Sequence, residues 1–301
     1  MPEPEQISGI LVVDKPEGLT SHDVVARVRR ILKTKRVGHT GTLDPFATGV
    51  LVLLVGKATR LAQFIDKDAK EYIATVRLGF ETDTGDKTGK PITNDGDIAS
   101  VSHTNVEEVL RSFLGERTQT PPMYSAKKVG GRKLYELARQ GVEVERDSST
   151  INIYEIALLQ TSDEPIQEFV FRVCCSAGTY IRVLAQEIAR DLFNRGHLTA
   201  LRRTAAGKFD LRRSYELDHL KQMKEPINAL LPIDMAVSHL AEFRLDSSRL
   251  EKTRNGLSTR VVGQKYEDGE FVRMTEISGN VIAVGVFDES ENSIKPTLVL
   301  A

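Results

Sequence analysis

Apolar residues recur along the chain at two periods, and each period predicts a kind of element. Ile10 to Val13 is a short apolar run closed by Lys15-Pro16-Glu17-Gly18, which reads as a buried strand ending in a turn. Val24, Val25, Val28, Ile31 and Leu32 then repeat at helical spacing behind Thr20 and Ser21, either of which can cap the helix, so its arginines fall on the solvated side. Gly38 to Gly49 is too rich in glycine, threonine and proline for regular structure. A loop of that length in a compact domain points to function. Tyr72, Ala74, Val76 and Leu78 alternate with Ile73, Thr75 and Arg77, predicting a strand over Glu71 to Gly79 with Tyr72 facing inward.

Further along, Thr104 and Glu107 form a capping box ahead of Val106, Val109, Leu110, Phe113 and Leu114. Other helices are expected from about Arg132 to Gln140, ending at Gly141, and from Tyr180 to Arg195, closed by Gly196. Ile151 to Gln160 and Glu168 to Cys175 read as strands. Strands and helices mix without regular alternation, which predicts an α+β fold with a mixed, largely antiparallel sheet flanked by helices. Beyond Pro232 the short strand candidates Thr259 to Gln264, Glu270 to Thr275, Val281 to Phe287 and Pro296 to Leu300 suggest a small β-barrel. The expected division is residues 1–239 and residues 240–301.

With 301 residues, 40% hydrophobic and 28% charged, the composition is that of an ordinary globular chain. Val50 to Val55, the longest purely apolar run, is far short of the roughly 20 residues a bilayer helix needs. Met1-Pro2-Glu3-Pro4-Glu5 is acidic where a signal peptide would be basic, and the only cysteines, Cys174 and Cys175, are adjacent. A cytoplasmic setting is expected. Net charge is −1, yet Arg27, Arg29, Arg30, Lys33, Lys35 and Arg36 form one basic run, and Arg195, Arg202, Arg203, Lys208, Arg212 and Arg213 form another. Acids gather elsewhere, at Glu81, Asp83 and Asp86 and at Asp95 and Asp97, in a stretch expected to face away from any nucleic acid.

Several kinds of chemistry drop out. Gly49 to Lys57 fails as a phosphate-binding loop because its glycines are too far apart and Ala58 stands where a hydroxyl residue is required. No Gly-x-Gly-x-x-Gly occurs, and the six histidines form no zinc signature. Within the glycine-rich loop, Asp44 precedes Pro45 and is biased toward extended backbone. Arg182, beside Gly178-Thr179-Tyr180, can pair with a carboxylate and keep it ionised, and Tyr72 can offer a ring face to a base. Read singly, Asp44 serves as well for a turn, Arg182 for a structural ion pair and Tyr72 for core packing.

Taken together, the motifs carry a family resemblance. Asp14-Lys15-Pro16-Glu17-Gly18, Gly38-His39-Thr40-Gly41-Thr42-Leu43-Asp44-Pro45-x-Ala47-Thr48-Gly49, Lys70-Glu71-Tyr72, Pro121-Pro122-x-Tyr124-Ser125-Ala126-x-Lys128, Cys175-Ser176-x-Gly178-Thr179-Tyr180-Ile181-Arg182 and His197-Leu198-Thr199-Ala200-Leu201-Arg202-Arg203-Thr204 follow one another as in the bacterial TruB family of tRNA pseudouridine synthases. Residues 240–301 resemble, less specifically, the PUA-type RNA-binding module of that family.

The resemblance implies isomerisation of uridine 55 in the tRNA T-loop to pseudouridine, without cofactor or metal. Asp44 would act at C1′, Arg182 would hold it oriented and deprotonated, and Tyr72 would stack on the base and act as general base. His39 would lie against the flipped nucleotide or fill the space it leaves, and Lys15 and Pro16 would brace the catalytic loop from beneath. Lys15, Arg202 and Arg203 are grouped with His39 as substrate-binding, and the two basic runs would meet T-arm phosphates. A monomer with no protein partner is expected. Two other readings fit the same residues: a non-catalytic RNA-binding or RNA-folding protein, and a sister synthase acting on ribosomal RNA.

Overall fold

A computed structural model of the protein describes residues 7–65, 69–92, 100–125, 127–138, 140–263 and 266–300. Asp95 and Asp97, the acidic residues 1–5, Ala126, and Gln264 at the end of one expected strand lie outside them.

Strand β1 (Gly9–Lys15), helix α1 (Ser21–Ile31), and strands β2 (Val37–His39), β3 (Thr48–Val55) and β4 (Lys70–Leu78) open the chain. Helix α2 (His103–Ser112), strand β5 (Gly115–Gln119), the small hairpin β6 (Lys128–Val129) and β7 (Arg132–Lys133), and helix α3 (Leu134–Ala138) follow. Long strands β8 (Ser149–Thr161) and β9 (Glu168–Cys175) lead to helix α4 (Ile181–Asp191) and strand β10 (Gly196–Ala206). Apart from the β6–β7 hairpin, which stands as its own two-stranded sheet, these strands, with the short β11 (Phe209–Asp210) and β12 (Tyr215–Glu216), make a ten-stranded sheet in the order β12-β1-β3-β10-β4-β9-β8-β5, β2 pairing with β3 and β11 with β10. Neighbours are antiparallel except β1 with β12 and β3 with β10. The fold is α+β with a largely antiparallel sheet, as the sequence pattern predicts.

The period of two sorts the core. Leu11 and Val13 pack with Leu51, Leu53 and Val55 in one cluster, beneath α1, α2 and α4, while Ile10 and Val12 pack with Val50, Val52 and Leu54 in another. The apolar run at Val50 to Val55 is therefore a strand buried on both faces.

After helix α5 (Leu217–Gln222), strand β13 (Ala241–Arg244), helix α6 (Ser247–Arg254) and strands β14 (Thr259–Arg260), β15 (Phe271–Thr275), β16 (Val281–Asp288) and β17 (Ser293–Val299) form a second, five-stranded sheet in the order β13-β15-β16-β17-β14. Val281, Val284, Leu298 and Leu300 join the second core cluster, so this C-terminal sheet packs on the outer face of β1 and β3. Phe64 meets Phe271 edge-on with ring centroids 5.2 Å apart, and Arg60 donates to the Val299 carbonyl at 2.6 Å across the same junction.

Four expectations are corrected. The cap of α2 is Ser102 with Asn105, two residues before the predicted pair. Gly130 and Gly131, at φ of 57° and 81°, make a two-residue hairpin turn that draws Arg132 and Lys133 into a strand, which shortens the expected helix to α3. Gly196 does not close α4 but opens β10; a Cβ there would stand 2.8 Å from the Ala189 Cβ. Strand β10 itself, central in the sheet, carries a basic run and a family motif in the sequence but no strand pattern, because bulges at Leu198/Ala200 and Arg203/Ala205 break its alternation.

Candidate active site

Only the middle of the expected loop is irregular: Gly38 and His39 lie in β2 and Thr48 and Gly49 in β3, leaving Thr40 to Ala47 as an excursion between paired strands. Its backbone is tied down almost residue by residue. Thr40 N–H donates to Val52 O at 3.1 Å, and the Ser21 hydroxyl accepts from Leu43 N–H at 2.9 Å and donates to Leu43 O at 3.1 Å. Thr20 is therefore left to cap α1, in a capping box with Asp23. Gly18 N–H reaches Pro45 O at 2.8 Å, and Ala47 N–H closes a turn on Asp44 O at 3.1 Å. The turn aims the Asp44 side chain inward.

Arg182 meets it there. The first turn of α4 presents Arg182, and Gln119 of β5 fixes that turn by accepting from Tyr180 N–H at 2.7 Å and donating to Tyr180 O at 3.2 Å. Arg182 Nε donates to Asp44 Oδ2 at 2.9 Å, and its terminal nitrogens donate to Thr84 O and Tyr124 O, each at 2.7 Å. The arginine side chain is 5% exposed and the aspartate 34%, so the open side of the pair is the carboxylate. Asp86 stands 3.9 Å from Arg182 Nε, held by Thr84 Oγ1 at 2.9 Å and Thr88 N–H at 2.9 Å. Asp86 of the acidic stretch therefore borders the candidate site.

Desolvation raises the Asp44 pKa above the ordinary aspartate value, and Arg182 pulls it back while Asp86 adds to the rise. Arg182 therefore orients the carboxylate but does not by itself outweigh burial. Asp44, Thr42, Leu43, Ser125 and Arg182 form a wall shared by two cavities. One, of about 480 Å³, runs toward His22, Asp86 and Tyr135; the other, of about 220 Å³, holds Tyr72, Lys70, Thr179 and Leu201. Tyr72 is 7% exposed, and burial raises its phenol further above 10, so it carries its proton at neutral pH. The buried Ser125 hydroxyl has no hydrogen-bond partner among the described residues, which leaves it open to a ligand.

Other predicted residues sit elsewhere. Lys15 is fully buried, and its ammonium donates to Leu19 O at 2.7 Å, Pro16 O at 2.9 Å and Pro45 O at 3.2 Å, a brace under the loop with no donor to spare for substrate. Burial lowers its pKa to about 8. Arg203, expected at phosphates, is 2% exposed and gives its guanidinium to Val50 O at 2.7 Å, Gly41 O at 3.2 Å and Thr42 O at 3.4 Å. Strand pairing with Tyr72 turns it inward. Arg202, on the other face, pairs with Asp14 at 2.6 Å in a separate hollow. His39 stands edge-on to His22, ring centroids 5.5 Å apart, and burial lowers its pKa; His22 rather than His39 borders the larger cavity. In α1, Arg27 and Arg30 border a groove with Lys221. No group of three or more His, Cys, Asp or Glu side chains suited to a metal ion occurs among the described residues, and none of their helices is long and apolar enough to cross a membrane.

A family model for the TruB family pseudouridylate synthase (N terminal domain) matches residues 29–181, which take in the Asp44 loop and Tyr72 and end one residue before Arg182. The chain belongs to this family. Among its TruB relatives, tRNA pseudouridine synthase B of Heliobacterium modesticaldum is 42% identical over 272 residues, covering 90% of this chain and 88% of that one. The tRNA pseudouridine synthase B of Bacillus subtilis is 40% identical over 290 residues, covering 92% of each. In fold, the chain is similar to a solved Cbf5-Nop10-Gar1 complex, with a TM-score of 0.75 and 27% identity over 98% of this chain and 85% of that one. An H/ACA RNP bound to a substrate RNA containing 2′-deoxyuridine gives a TM-score of 0.74 at 25% identity, covering 97% and 85%. These structures extend the likeness through the curled C-terminal sheet, a PUA-like module on a pseudouridine synthase fold.

Proposed function

We propose that the protein isomerises uridine 55 in the T-loop of tRNA to pseudouridine, with residues 1–239 as the catalytic domain and residues 240–301 as an RNA-binding module. The observation that carries this reading is the Asp44–Arg182 pair, whose carboxylate is its open side, in a wall shared with Tyr72. The tRNA substrate named for the curated relatives supports the choice of RNA.

The uridine leaves its stack at a cost of a few kcal/mol and enters the pocket. Asp44 stabilises or attacks C1′ as the N1–C1′ bond breaks and its electron pair departs with uracil. The base turns, and C5 bonds to C1′. One proton must then leave C5 and one must reach N1. Tyr72 begins protonated, so it serves as a base only after giving its own proton to N1; it then takes the C5 proton and is restored. Arg182 keeps Asp44 aimed throughout, and His39 lies against the vacated stack. The reaction needs no cofactor in this scheme, and the enzyme acts as a monomer in the cytoplasm.

Mass-spectrometric mapping of tagged pseudouridine in an unmodified tRNA transcript tests the reading. Wild type should mark the T-loop uridine and Asp44→Asn should not. RNA that binds without any mark from wild type would move the protein to the non-catalytic reading.

A further inference from the structure

Lys70 carries a positive charge that no acid among the described residues pairs with. It opens β4 two residues before Tyr72 and so shares the face of the strand that lines the smaller cavity. Its ammonium has no hydrogen bond or ion pair with any described residue, although Nζ stands 3.3 Å from where a Cβ on Gly41 would be. Beside it, Arg203 is equally without an acid among the described residues: Nε and both terminal nitrogens donate to neutral carbonyls, and the guanidinium also hydrogen-bonds the Tyr72 phenol. Two cations thus stand together in a half-dry place, and burial together with Arg203 lowers the Lys70 pKa. Holding an ammonium there costs stability unless an anion arrives to pair with it.

Geometry identifies the anion. Lys70 borders both the Tyr72 cavity and a neighbouring one of about 300 Å³ lined by Thr40, Ala206, Lys208 and His239. Two strand steps, about 7 Å, separate it from Tyr72 along β4. That spacing is close to the distance from a nucleobase to the phosphate of its own nucleotide. We infer that Lys70 binds the phosphodiester flanking the flipped uridine, where the RNA chain passes from one cavity to the next. The inference rests on the proposed function for the presence of a flipped nucleotide, and it adds a specific ionic contact at the reacting residue.

The experiment uses the full-length protein and a synthetic T-arm stem-loop carrying a neutral methylphosphonate on the 5′ or the 3′ side of the target uridine. Binding and single-turnover conversion are measured for wild type, Lys70→Met and Lys70→Arg, with thermal unfolding as a check on folding. Lys70→Met should weaken binding and raise KM about tenfold, as expected for one charge-assisted contact, while Lys70→Arg restores most of it. One of the two methylphosphonates should cost wild type the same factor and cost Lys70→Met nothing further. The inference is overturned if both linkages penalise the variant as much as wild type. It is overturned equally if Lys70→Met slows single-turnover conversion with binding unchanged, which would place the ammonium on the departing uracil. Failure of wild type to convert the unsubstituted stem-loop would instead remove the proposed reaction, and the same coupling read in Kd would still decide the contact.

Discussion

A Cβ on Gly49 would stand 2.1 Å from the Arg203 carbonyl oxygen, so the strand that ends the Asp44 loop and the strand that braces it touch backbone to backbone. Gly49 has a φ of +102°, and it is paired in parallel register with Arg203. From there the Arg203 side chain reaches the carbonyls of Gly41, Thr42 and Val50. One residue therefore ties both ends of the loop that carries Asp44.

Gly49→Ala combines this clash with a backbone region that side chains avoid. It should cost more than about 2 kcal/mol and lower activity and unfolding temperature together. Parallel thermal unfolding and turnover measurements check it; an alanine variant with the wild-type melting temperature would refute the contact.

Arg203→Met removes the donors of three carbonyls. A loss of about 3 kcal/mol in stability is expected, since each buried unpaired group costs about 1–3 kcal/mol. The salt dependence of tRNA binding should not change, because the guanidinium is committed to backbone. Arg27→Ser or Arg30→Ser, on the exposed face of α1, should instead lower the slope of log K against log salt by about one each. Binding titrations across a salt series separate the two behaviours.

Asp44→Asn should reduce turnover by at least about a thousandfold. Its stability should not fall. Because burial raises the Asp44 pKa, the native state holds this proton more tightly than the unfolded chain, and the ionised carboxylate at neutral pH works against folding. In the proposed mechanism turnover uses the carboxylate, so it should be lost as pH falls through a value above the ordinary aspartate range. A pH-rate profile with denaturant unfolding of both proteins tests the pair of statements.

Lys15 titrates near pH 8 in the native state against 10.5 unfolded. Between those values the unfolded chain holds a proton that the native state has released, so this residue makes stability rise with pH across that window. Deprotonation also leaves two donors for three carbonyls, and the Pro45 contact, at 3.2 Å the longest, is the first to loosen. Activity should therefore fall above about pH 8 while this stability term rises. Denaturant unfolding at several alkaline pH values, with Lys15→Met lacking the rise, checks it.

Much of the site was legible in the order of residues. Asp-Pro within a glycine-rich loop, Tyr72 on an alternating strand and Arg182 at a helix start are local patterns, and the structure brings these three to one cavity. The sequence assigns no role to Asp86, or to Lys70 within its family motif, since an acid in an acidic stretch and a lysine at a strand end look like surface until the chain folds. Ser21 was legible as a cap, yet its hydroxyl serves Leu43, a partner 22 residues away.

What the sequence determined by itself is whatever depends on near neighbours: the capped and striped α1, the alternating β4, the double-sided apolar run of β3, and a loop that cannot be helix. Tertiary structure alone decided which charges meet water. Arg202 and Arg203 are adjacent and identical in chemistry, but a strand sends consecutive side chains to opposite faces, one to Asp14 and the other into the core. The bulges in β10 and its parallel pairing with β3 set those faces, and both depend on strands more than a hundred residues apart in sequence.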